Sequence, residues 1–385
     1  MARTVEPSLL NSGELVDSER TIISLLAARG CLTKRNLAEY GGLSWSTVVK
    51  IVRRFEGMGL IRRSGTAVRE PTELGKNAYL YCLQDGFGYF VGVDVEYSRT
   101  RIIVQSLAGT ILHRREFVTP SAPNLQPFVF FLIDAIEKSR AGIGGQLLGI
   151  GIGVPIWLVQ DSRTADNNLF GSIEASLGER FGRTVHVHNN VRAYASYLSG
   201  QPAGAGDFAL ITLRTGVGFG LYMGGKVVQG ENGLAGELAH MQADAHGSLC
   251  RCGGRGCVET LVGEQAILQR YSVAAGRNCA SLSALASLAA DGDRGALDTL
   301  RQSAEILAIP TASLVLTLDI PKIILAGPFG ESGILFARML EERIKTKLFA
   351  RQKPVVLYDP LDSEGFLHGA ALIAMRDFYL PLLRA

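Results

Sequence analysis

The sequence predicts an α/β protein in which a winged helix-turn-helix precedes two α/β halves. Three observations support this fold class. Short amphipathic segments stand near the N-terminus, with the Gly41-Gly42 pair between the second and the third. Beyond residue 86 the pattern changes to alternating strands and helices, and a second cycle of the same order opens near residue 208. Two such halves imply a bilobal protein with a cleft between them.

The composition is that of an ordinary globular protein with two or three domains. The chain has 385 residues, of which 47% are hydrophobic and 19% are charged. The first thirty residues carry charges throughout, and the most apolar stretch, 147–159, is too short to cross a bilayer and contains Pro155. We therefore expect a cytoplasmic protein with no membrane partner.

Three helices are expected in the N-terminal region. The segment 18–29 has the apolar spacing of a helix. The second helix, 34–40, follows a possible cap at Thr33, and the third, 44–59, begins with a cap at Ser44. Strand character at 60–63 and 78–83 can supply the wing. These elements together predict a winged helix-turn-helix.

Charge favours DNA as the partner of this region. Residues 29–70 hold nine Lys or Arg against three Asp or Glu, as expected of a nucleic-acid module. In a helix-turn-helix the third helix enters the major groove. A small helical protein-interaction domain is the alternative, and Trp45 could instead pack on the second helix. The candidate DNA contacts are Ser44, Trp45, Ser46, Thr47, Lys50, Arg53, Arg54, Arg62, Arg63 and Arg69.

Domain boundaries follow from the change of pattern. Pro71, Gly75 and Gly86 stand amid polar residues, so we place a linker at 71–87. The expected domains are 1–85 with the linker, a first lobe 86–200, and a second lobe 201–385. We expect the closing helix, 365–378, to return to the first lobe.

The most specific local pattern runs from 236 to 259. Three of the six cysteines fall within eight positions there, with a histidine upstream and glycines that allow a tight fold. One imidazole and three thiolates form a closed set of soft ligands that suits structural Zn²⁺. The alternative is a set of loop cysteines beside a surface histidine. The candidate metal ligands are His240, Cys250, Cys252 and Cys257; the other cysteines, Cys31, Cys82 and Cys279, are scattered.

These motifs make the chain resemble the ROK family of repressors, open reading frames and kinases. The resemblance rests on GELAH at 236–240, CRCGGRGCVE at 250–259, RTGVGFG at 214–220 and GVDV at 92–95. It implies an actin/hexokinase-like, ribonuclease H-like fold of two lobes that carries a structural zinc. It also implies sugar binding in the cleft and a homodimer or homotetramer.

The resemblance extends to the ligand site. Asn189 stands at the position of a family asparagine that contacts sugar hydroxyls. Glu237, His240 and Glu259 match the two acids and the histidine that hold the sugar beside zinc. Carboxylates accept strong hydrogen bonds from hydroxyl groups. Alternatively, the two glutamates only orient the zinc ligands. Asn190 and Asn168 complete the set of candidate ligand-binding residues.

Departures from the kinase pattern indicate that the chain is not an enzyme. Family kinases carry a general-base Asp where Asn190 stands, and an amide cannot accept that proton. Glu96 and Tyr97 replace glycines of the first phosphate loop, and Arg214 replaces the first glycine of the second. Pro328 interrupts a loop that should approach adenosine. We therefore expect no catalytic residues and no kinase activity.

The resulting hypothesis is a transcriptional repressor of carbohydrate metabolism. Its partners would be operator DNA, a sugar or sugar derivative, and a second copy of the chain. Two other readings remain open: an active ATP-dependent sugar kinase with a DNA-binding arm, and a repressor whose effector is a protein.

Overall fold

The computed structural model describes residues 15–67, 78–121, 123–156, 158–159, 168–231, 233–361, 363–376 and 378. Three helices and a two-stranded hairpin come first, and two five-stranded sheets with their helices follow. No helix within these ranges is both long and apolar enough to span a membrane.

The N-terminal unit, residues 15–83, contains the helices and the hairpin predicted there. Thr33 Oγ1 accepts from the Asn36 N–H at 3.1 Å and Ser44 Oγ from the Thr47 N–H at 3.2 Å, so both predicted caps form. Gly42, with φ of 60°, ends the second helix in the left-handed region. The elements are α1 (Asp17–Arg29), α2 (Lys34–Gly41), α3 (Trp45–Gly57), β1 (Ile61–Thr66) and β2 (Tyr79–Leu83).

The second half of the predicted linker at 71–87 overlaps the predicted strand at 78–83, and the structure has a strand there. Tyr79–Leu83 forms β2, because these residues pair with β1 in an antiparallel hairpin. A tight turn follows, in which the Phe87 N–H donates to the Gln84 carbonyl at 3.0 Å. Residues 71–77 of the predicted linker lie outside the described residues.

The first sheet has the strand order β5-β4-β3-β6-β7. Neighbours β3, β6 and β7 run parallel, and β4 and β5 extend the sheet antiparallel on the other side. Its strands are β3 (Gly88–Val95), β4 (Arg99–Ser106), β5 (Ile111–Val118), β6 (Gln146–Gly153) and β7 (Val185–His188), with helices α4 (Leu125–Arg140), α5 (Leu169–Phe181) and α6 (Asn190–Ser199).

The second sheet repeats this topology in the order β10-β9-β8-β11-β12, as the second cycle of the sequence predicts. Its strands are β8 (Phe208–Leu213), β9 (Val217–Met223), β10 (Lys226–Val227), β11 (Lys322–Ala326) and β12 (Val355–Asp359). Its helices are α7 (Val258–Val262), α8 (Glu264–Ala275), α9 (Leu282–Ala290), α10 (Arg294–Leu318) and α11 (Gly333–Lys345).

Four of these elements, α7, α8, α9 and β12, have no counterpart in the sequence prediction. In β12 the apolar Val355 and Leu357 are exposed on an edge strand, so the pattern of buried residues that marks a strand is weak.

The last helix, α12 (Ser363–Met375), packs on the first sheet rather than on the second. Gly92 and Gly151 allow this approach, since a side chain at either position would collide with the backbone of α12. Beyond the helix, Phe378 makes an edge contact with Phe90 at 5.2 Å between ring centroids. Phe378 and Met375 belong to the same buried apolar cluster as the helices of the N-terminal unit. The last helix therefore packs on the first sheet and shares one buried apolar cluster with the N-terminal unit.

Candidate metal centre and ligand cleft

The four predicted metal ligands, His240, Cys250, Cys252 and Cys257, converge and are called the metal cluster below. Their ligand atoms all lie within 4.8 Å of one another. Cys250 Sγ is 3.5 Å from His240 Nδ1, and Cys252 Sγ is 3.7 Å from Cys257 Sγ. These distances suit four ligands arranged around one ion.

The loop that carries the metal cluster depends on its glycines. Gly253 and Gly256 have φ of 96° and 59°, which favour glycine, and a side chain at Gly256 would collide with the Asp244 carbonyl. The Cys250 N–H donates to the Gly254 carbonyl at 2.7 Å and closes the turn. This turn brings the sulfur atoms of Cys250, Cys252 and Cys257 close to one another.

The chemistry of the donor set fits a cation. Burial raises the pKa of the Cys257 thiol to about 12 and raises the pKa of Cys250 as well. Burial, with the charge of Arg251, lowers the pKa of His240 to about 4, so the imidazole is neutral. A divalent ion reverses the preference of the thiols, because it deprotonates the thiols that coordinate it. The cluster could therefore hold a metal ion.

The cleft between the sheets has a wall of polar side chains beside the metal cluster. Asn189 Nδ2 donates to Glu237 Oε1 at 3.4 Å, and the Val217 N–H donates to Glu259 Oε2 at 3.2 Å. Both glutamates and Asn189 line one pocket together with His240. Burial raises the pKa of Glu259, against the opposing charge of Arg251.

His240 lies between the metal cluster and the pocket. Its Nδ1 faces Cys250, and its Nε2 is 3.8 Å from Glu237 Oε2. One ring nitrogen is therefore placed to bind a metal while the other faces the cleft.

A second buried polar group, Asp94, Glu96, Arg101 and Arg214, lies in the same cleft and is called the charge cluster. Asp94 Oδ2 accepts from Arg101 Nη2 at 2.7 Å and from Arg214 Nη2 at 2.9 Å. Glu96 forms ion pairs with both guanidinium groups and with Arg99. The Arg214 guanidinium also lies 3.9 Å from the centroid of the Phe366 ring. Arg214, which follows β8, thus joins the second sheet to β3 and α12.

Two residues of the cleft, Arg251 and Phe366, were missed by sequence reasoning. The Arg251 guanidinium lies 3.6 Å from the centroid of the Tyr97 ring, and its Nε is 3.7 Å from Glu259 Oε1. Phe366 lines the pocket from α12. Arg251 stands between Cys250 and Cys252, so its place in the sequence could have indicated that it lies near the metal cluster. No motif near Phe366 in the sequence indicates that it lines the pocket.

The two remaining candidate ligand residues are placed differently. Asn190 lines the pocket and donates from Nδ2 to the Val95 carbonyl at 3.3 Å. Asn168 caps α5, where its Oδ1 accepts from the Gly171 N–H at 3.0 Å, and it is exposed and not among the residues lining the pocket.

The candidate DNA contacts form an exposed surface on α3, although two arginines have internal partners. Arg54 pairs with the buried Glu19 of α1, and Arg63 lies 2.7 Å from Glu56 Oε1. Trp45 is 59% exposed, so it does not pack on α2. Arg69 lies outside the described residues. Arg54 and Arg63 are nevertheless exposed, and the other described candidates are exposed or half-exposed: Ser44, Trp45, Ser46, Thr47, Lys50, Arg53 and Arg62.

The chain is similar to known transcriptional regulators along most of its length. The chain is 24% identical over 346 residues to the xylose repressor of Bacillus subtilis, covering 87% of this chain and 88% of that protein. It is 25% identical over 376 residues to the DNA-binding transcriptional dual regulator NagC of Escherichia coli, covering 91% of each. A crystal structure of a ROK family transcriptional regulator, a homolog of the E. coli MLC protein, superposes with a TM-score of 0.73 at 22% identity. That superposition covers 94% of this chain and 96% of the other.

The family model extends beyond the metal-cluster loop. It matches residues 90–376, from β3 to just beyond the last helix. The mixed α/β fold with its repeated sheets, the metal cluster and the cleft all fall within this range. The chain therefore belongs to the ROK family.

Proposed function

We propose that this protein is a sugar-responsive, DNA-binding transcriptional repressor that works in the cytoplasm. The observation that carries the proposal is the combination of a polar cleft beside the metal cluster with an exposed, basic α3 on a separate N-terminal unit. The relatives named above are a repressor and a transcriptional regulator, and their similarity extends over most of this chain. This similarity supports the same function.

The metal is proposed to be a structural Zn²⁺. Three thiolates and one imidazole leave no open position for a substrate on a tetrahedral ion. The ion would fix the loop that presents Glu259 and would hold the ring of His240 toward the cleft. Its chemical contribution is to the stability of this loop.

The effector is proposed to be a sugar or sugar derivative held by Asn189, Asn190, Glu237, His240 and Glu259. Half-buried carboxylates such as those of Glu237 and Glu259 accept hydrogen bonds from vicinal hydroxyls with useful strength. Asn168 is a weaker candidate because it caps α5 on the exposed surface. An orienting role of the glutamates toward the metal ligands is compatible with sugar contacts.

The N-terminal unit is proposed to be a winged helix-turn-helix whose α3 enters the major groove. The caps at Thr33 and Ser44 and the exposed Trp45 and Lys50 support this placement. The proposed domains are 1–85, 86–200 with α12, and 201 to the C-terminus. Homodimers or homotetramers would present paired units to half-sites separated by whole helical turns.

The last helix offers a route from effector to DNA. Phe366 lines the pocket beneath Arg214, while Met375 and Phe378 pack into the apolar cluster of the N-terminal unit. A sugar that closes the cleft would move Arg214 relative to Asp94 and thereby shift α12. Such a ligand changes DNA affinity only by its different affinities for the two arrangements.

The absence of kinase activity is part of the proposal. Asn190 offers no general base, and loss of that base alone costs about 10²–10⁴ in rate. Arg214 lies against Asp94 and Glu96, so a guanidinium occupies space beside the carboxylates where a phosphate-bound cation would be needed. An active kinase with a DNA-binding arm and a repressor with a protein effector are the alternatives.

The test begins with selection of DNA fragments from the source genome by the full-length, zinc-loaded protein. Fluorescence anisotropy then gives the affinity for the selected fragment with and without each sugar of a broad panel. We expect nanomolar binding that at least one sugar changes severalfold. Failure to select any sequence above bulk DNA would contradict the proposal, and selection without any sugar response would favour the protein effector.

A further inference from the structure

Two cysteines outside the metal cluster face each other at the base of the β1–β2 hairpin. Leu32 and Tyr81 exchange both backbone hydrogen bonds, at 3.0 and 2.9 Å. The neighbours of such an antiparallel pair lie directly opposite each other, with Cα atoms about 4.5 Å apart. Those neighbours are Cys31 and Cys82, whose Cα atoms are 4.4 Å apart and whose sulfurs are bonded. The backbone hydrogen bonds of Leu32 and Tyr81 thus place Cys31 and Cys82 opposite each other.

The two sulfurs differ in their access to solvent. Cys31 is exposed in the connection between α1 and α2, whereas Cys82 is 7% exposed within β2. A soluble oxidant therefore reaches Cys31 first. Cys82 lies where it can attack the oxidised Cys31 sulfur, which is the arrangement of a reacting and a resolving thiol.

The pair lies where the N-terminal unit joins the first sheet. β2 leads through one tight turn into β3, and Leu83 and Phe87 belong to the apolar cluster that includes α1, α3 and Phe378. A bond between Cys31 and Cys82 ties the α1–α2 connection to this joining strand. It therefore restrains the hairpin against the helices that carry the proposed DNA surface.

We propose that Cys31 and Cys82 are a reversible thiol–disulfide site that senses hydroperoxides and strengthens DNA binding when oxidised. The DNA part rests on the proposed function. In the first step the Cys31 thiol breaks the O–O bond, giving Cys31 sulfenic acid and an alcohol or water. In the second step Cys82 displaces water and forms the S–S bond. Two thiols thus lose two electrons and the peroxide gains them.

Two physical considerations support this proposal. Disulfides in a reducing cytoplasm are usually transient and serve redox sensing rather than structure. A crosslink that fixes the hairpin before binding also reduces the conformational entropy that is lost when the hairpin becomes ordered on DNA. The oxidised form should therefore bind DNA at least roughly threefold tighter.

Peptide mass spectrometry on the full-length, zinc-loaded protein tests the site. Tryptic peptides 30–34 and 77–99 contain these two cysteines and no others. After limiting hydrogen peroxide and capping of free thiols with N-ethylmaleimide, we expect the two peptides to be crosslinked. Dithiothreitol should restore both as separate thiols. Cys279→Ser is the matched control that keeps the crosslink, and Cys31→Ser should lose it. Peptides that stay separate after peroxide would overturn the site.

Anisotropy with a short mixed-sequence duplex at low salt tests the regulatory part. Peroxide should tighten binding by the wild type and leave Cys31→Ser unchanged, which controls for oxidation of the metal cluster. Equal affinity of oxidised and reduced wild type would overturn the regulatory role even if the crosslink forms. The crosslink could form normally while neither the oxidised nor the reduced protein binds DNA. That result would overturn the proposed function and the regulatory role together, but not the thiol–disulfide site.

Discussion

The metal cluster and the charge cluster face the same cleft, yet they balance buried charge in opposite ways. The metal cluster gathers three thiols and an imidazole and supplies no cation of its own. The charge cluster pairs two carboxylates with Arg101 and Arg214, so its charges balance one another, although Asp94 Oδ1, Arg101 Nε and Arg214 Nη1 lack a hydrogen-bond partner among the described residues. One side of the cleft therefore has a donor set that could hold an ion, while on the other side opposite charges already pair.

This difference indicates what each side can do. The metal side places Glu237, Glu259 and His240 around the pocket, where they can accept or donate hydrogen bonds to hydroxyl groups. On the other side, Arg214 pairs with Asp94 and Glu96. The proposed function, binding without chemistry, rests on this contrast between the two sides of the cleft.

The largest expected effect comes from breaking the metal cluster. Cys252→Ser should lose the bound zinc and destabilise the second half of the chain by several kcal/mol, because metal-binding free energy is folding free energy. Metal analysis and urea unfolding measure the two effects. Cys279→Ser, a half-buried cysteine outside the cluster, should keep both. Unchanged zinc in Cys252→Ser would contradict the assignment of the ligands.

Breaking the charge cluster should cost less. Arg214→Met leaves Asp94 and Glu96 with fewer cations in a buried place, which typically costs about 3–5 kcal/mol. Arg99 is the control because it is half-exposed, and Arg99→Met should cost at most about 1 kcal/mol. Urea unfolding of zinc-loaded proteins gives both values. Equal small losses in the two variants would show that Arg214 does not neutralise these carboxylates.

The half-buried His188, at the end of β7, should show an acid sensitivity that is independent of the two clusters. Burial and the charge of Arg376 lower the pKa of His188 to about 4. The unfolded chain therefore binds the proton first, so His188 contributes stability above about pH 6.5 that is lost as pH falls toward 4. The loss could reach about 3 kcal/mol, at 1.36 kcal/mol per pKa unit.

Urea unfolding of wild type and His188→Asn at pH 7 and pH 5 measures this contribution. The stability lost between these pH values should be smaller in the variant, whereas His113→Asn, at a half-exposed position on β5, should behave as wild type. An identical pH dependence for His188→Asn would contradict the assignment of the lowered pKa to His188.

The smallest expected effect lies outside the cleft, on α3. Arg53 is exposed and has no acidic partner among the described contacts, so Arg53→Ala should weaken binding to all DNA sequences alike. It should also reduce the slope of log affinity against log salt by about one. Arg351→Ala, an exposed arginine of the second half, is the control. A change at one operator position only would mean that Arg53 contacts a base instead.

The sequence predicted what depends on local pattern and missed what depends on distant pairing. Helical and strand periodicity predicted the three N-terminal helices and the second cycle of strands and helices. Cysteine spacing predicted the metal cluster. By contrast, the contact of Arg214 with Asp94 joins residues 120 positions apart, and the Cys31–Cys82 bond joins residues 51 positions apart.

The arginines show the same limit. Arg53 and Arg54 are neighbours of equal charge, yet Arg54 pairs with the buried Glu19. Only the packing of α3 on α1 separates the two roles. Phe366 is a similar case, because α12 brings it into the pocket from a part of the chain with no functional motif.

The most direct test of binding without chemistry is a paired measurement on one zinc-loaded sample. Thermal unfolding is followed with each sugar of a panel, and phosphate transfer from ATP to the same sugars is assayed in parallel. We expect a sugar at 100 times its Kd to add about 2.7 kcal/mol of stability, with no phosphorylated product. Transfer of phosphate that disappears in Glu259→Gln would contradict this expectation and identify the protein as a sugar kinase.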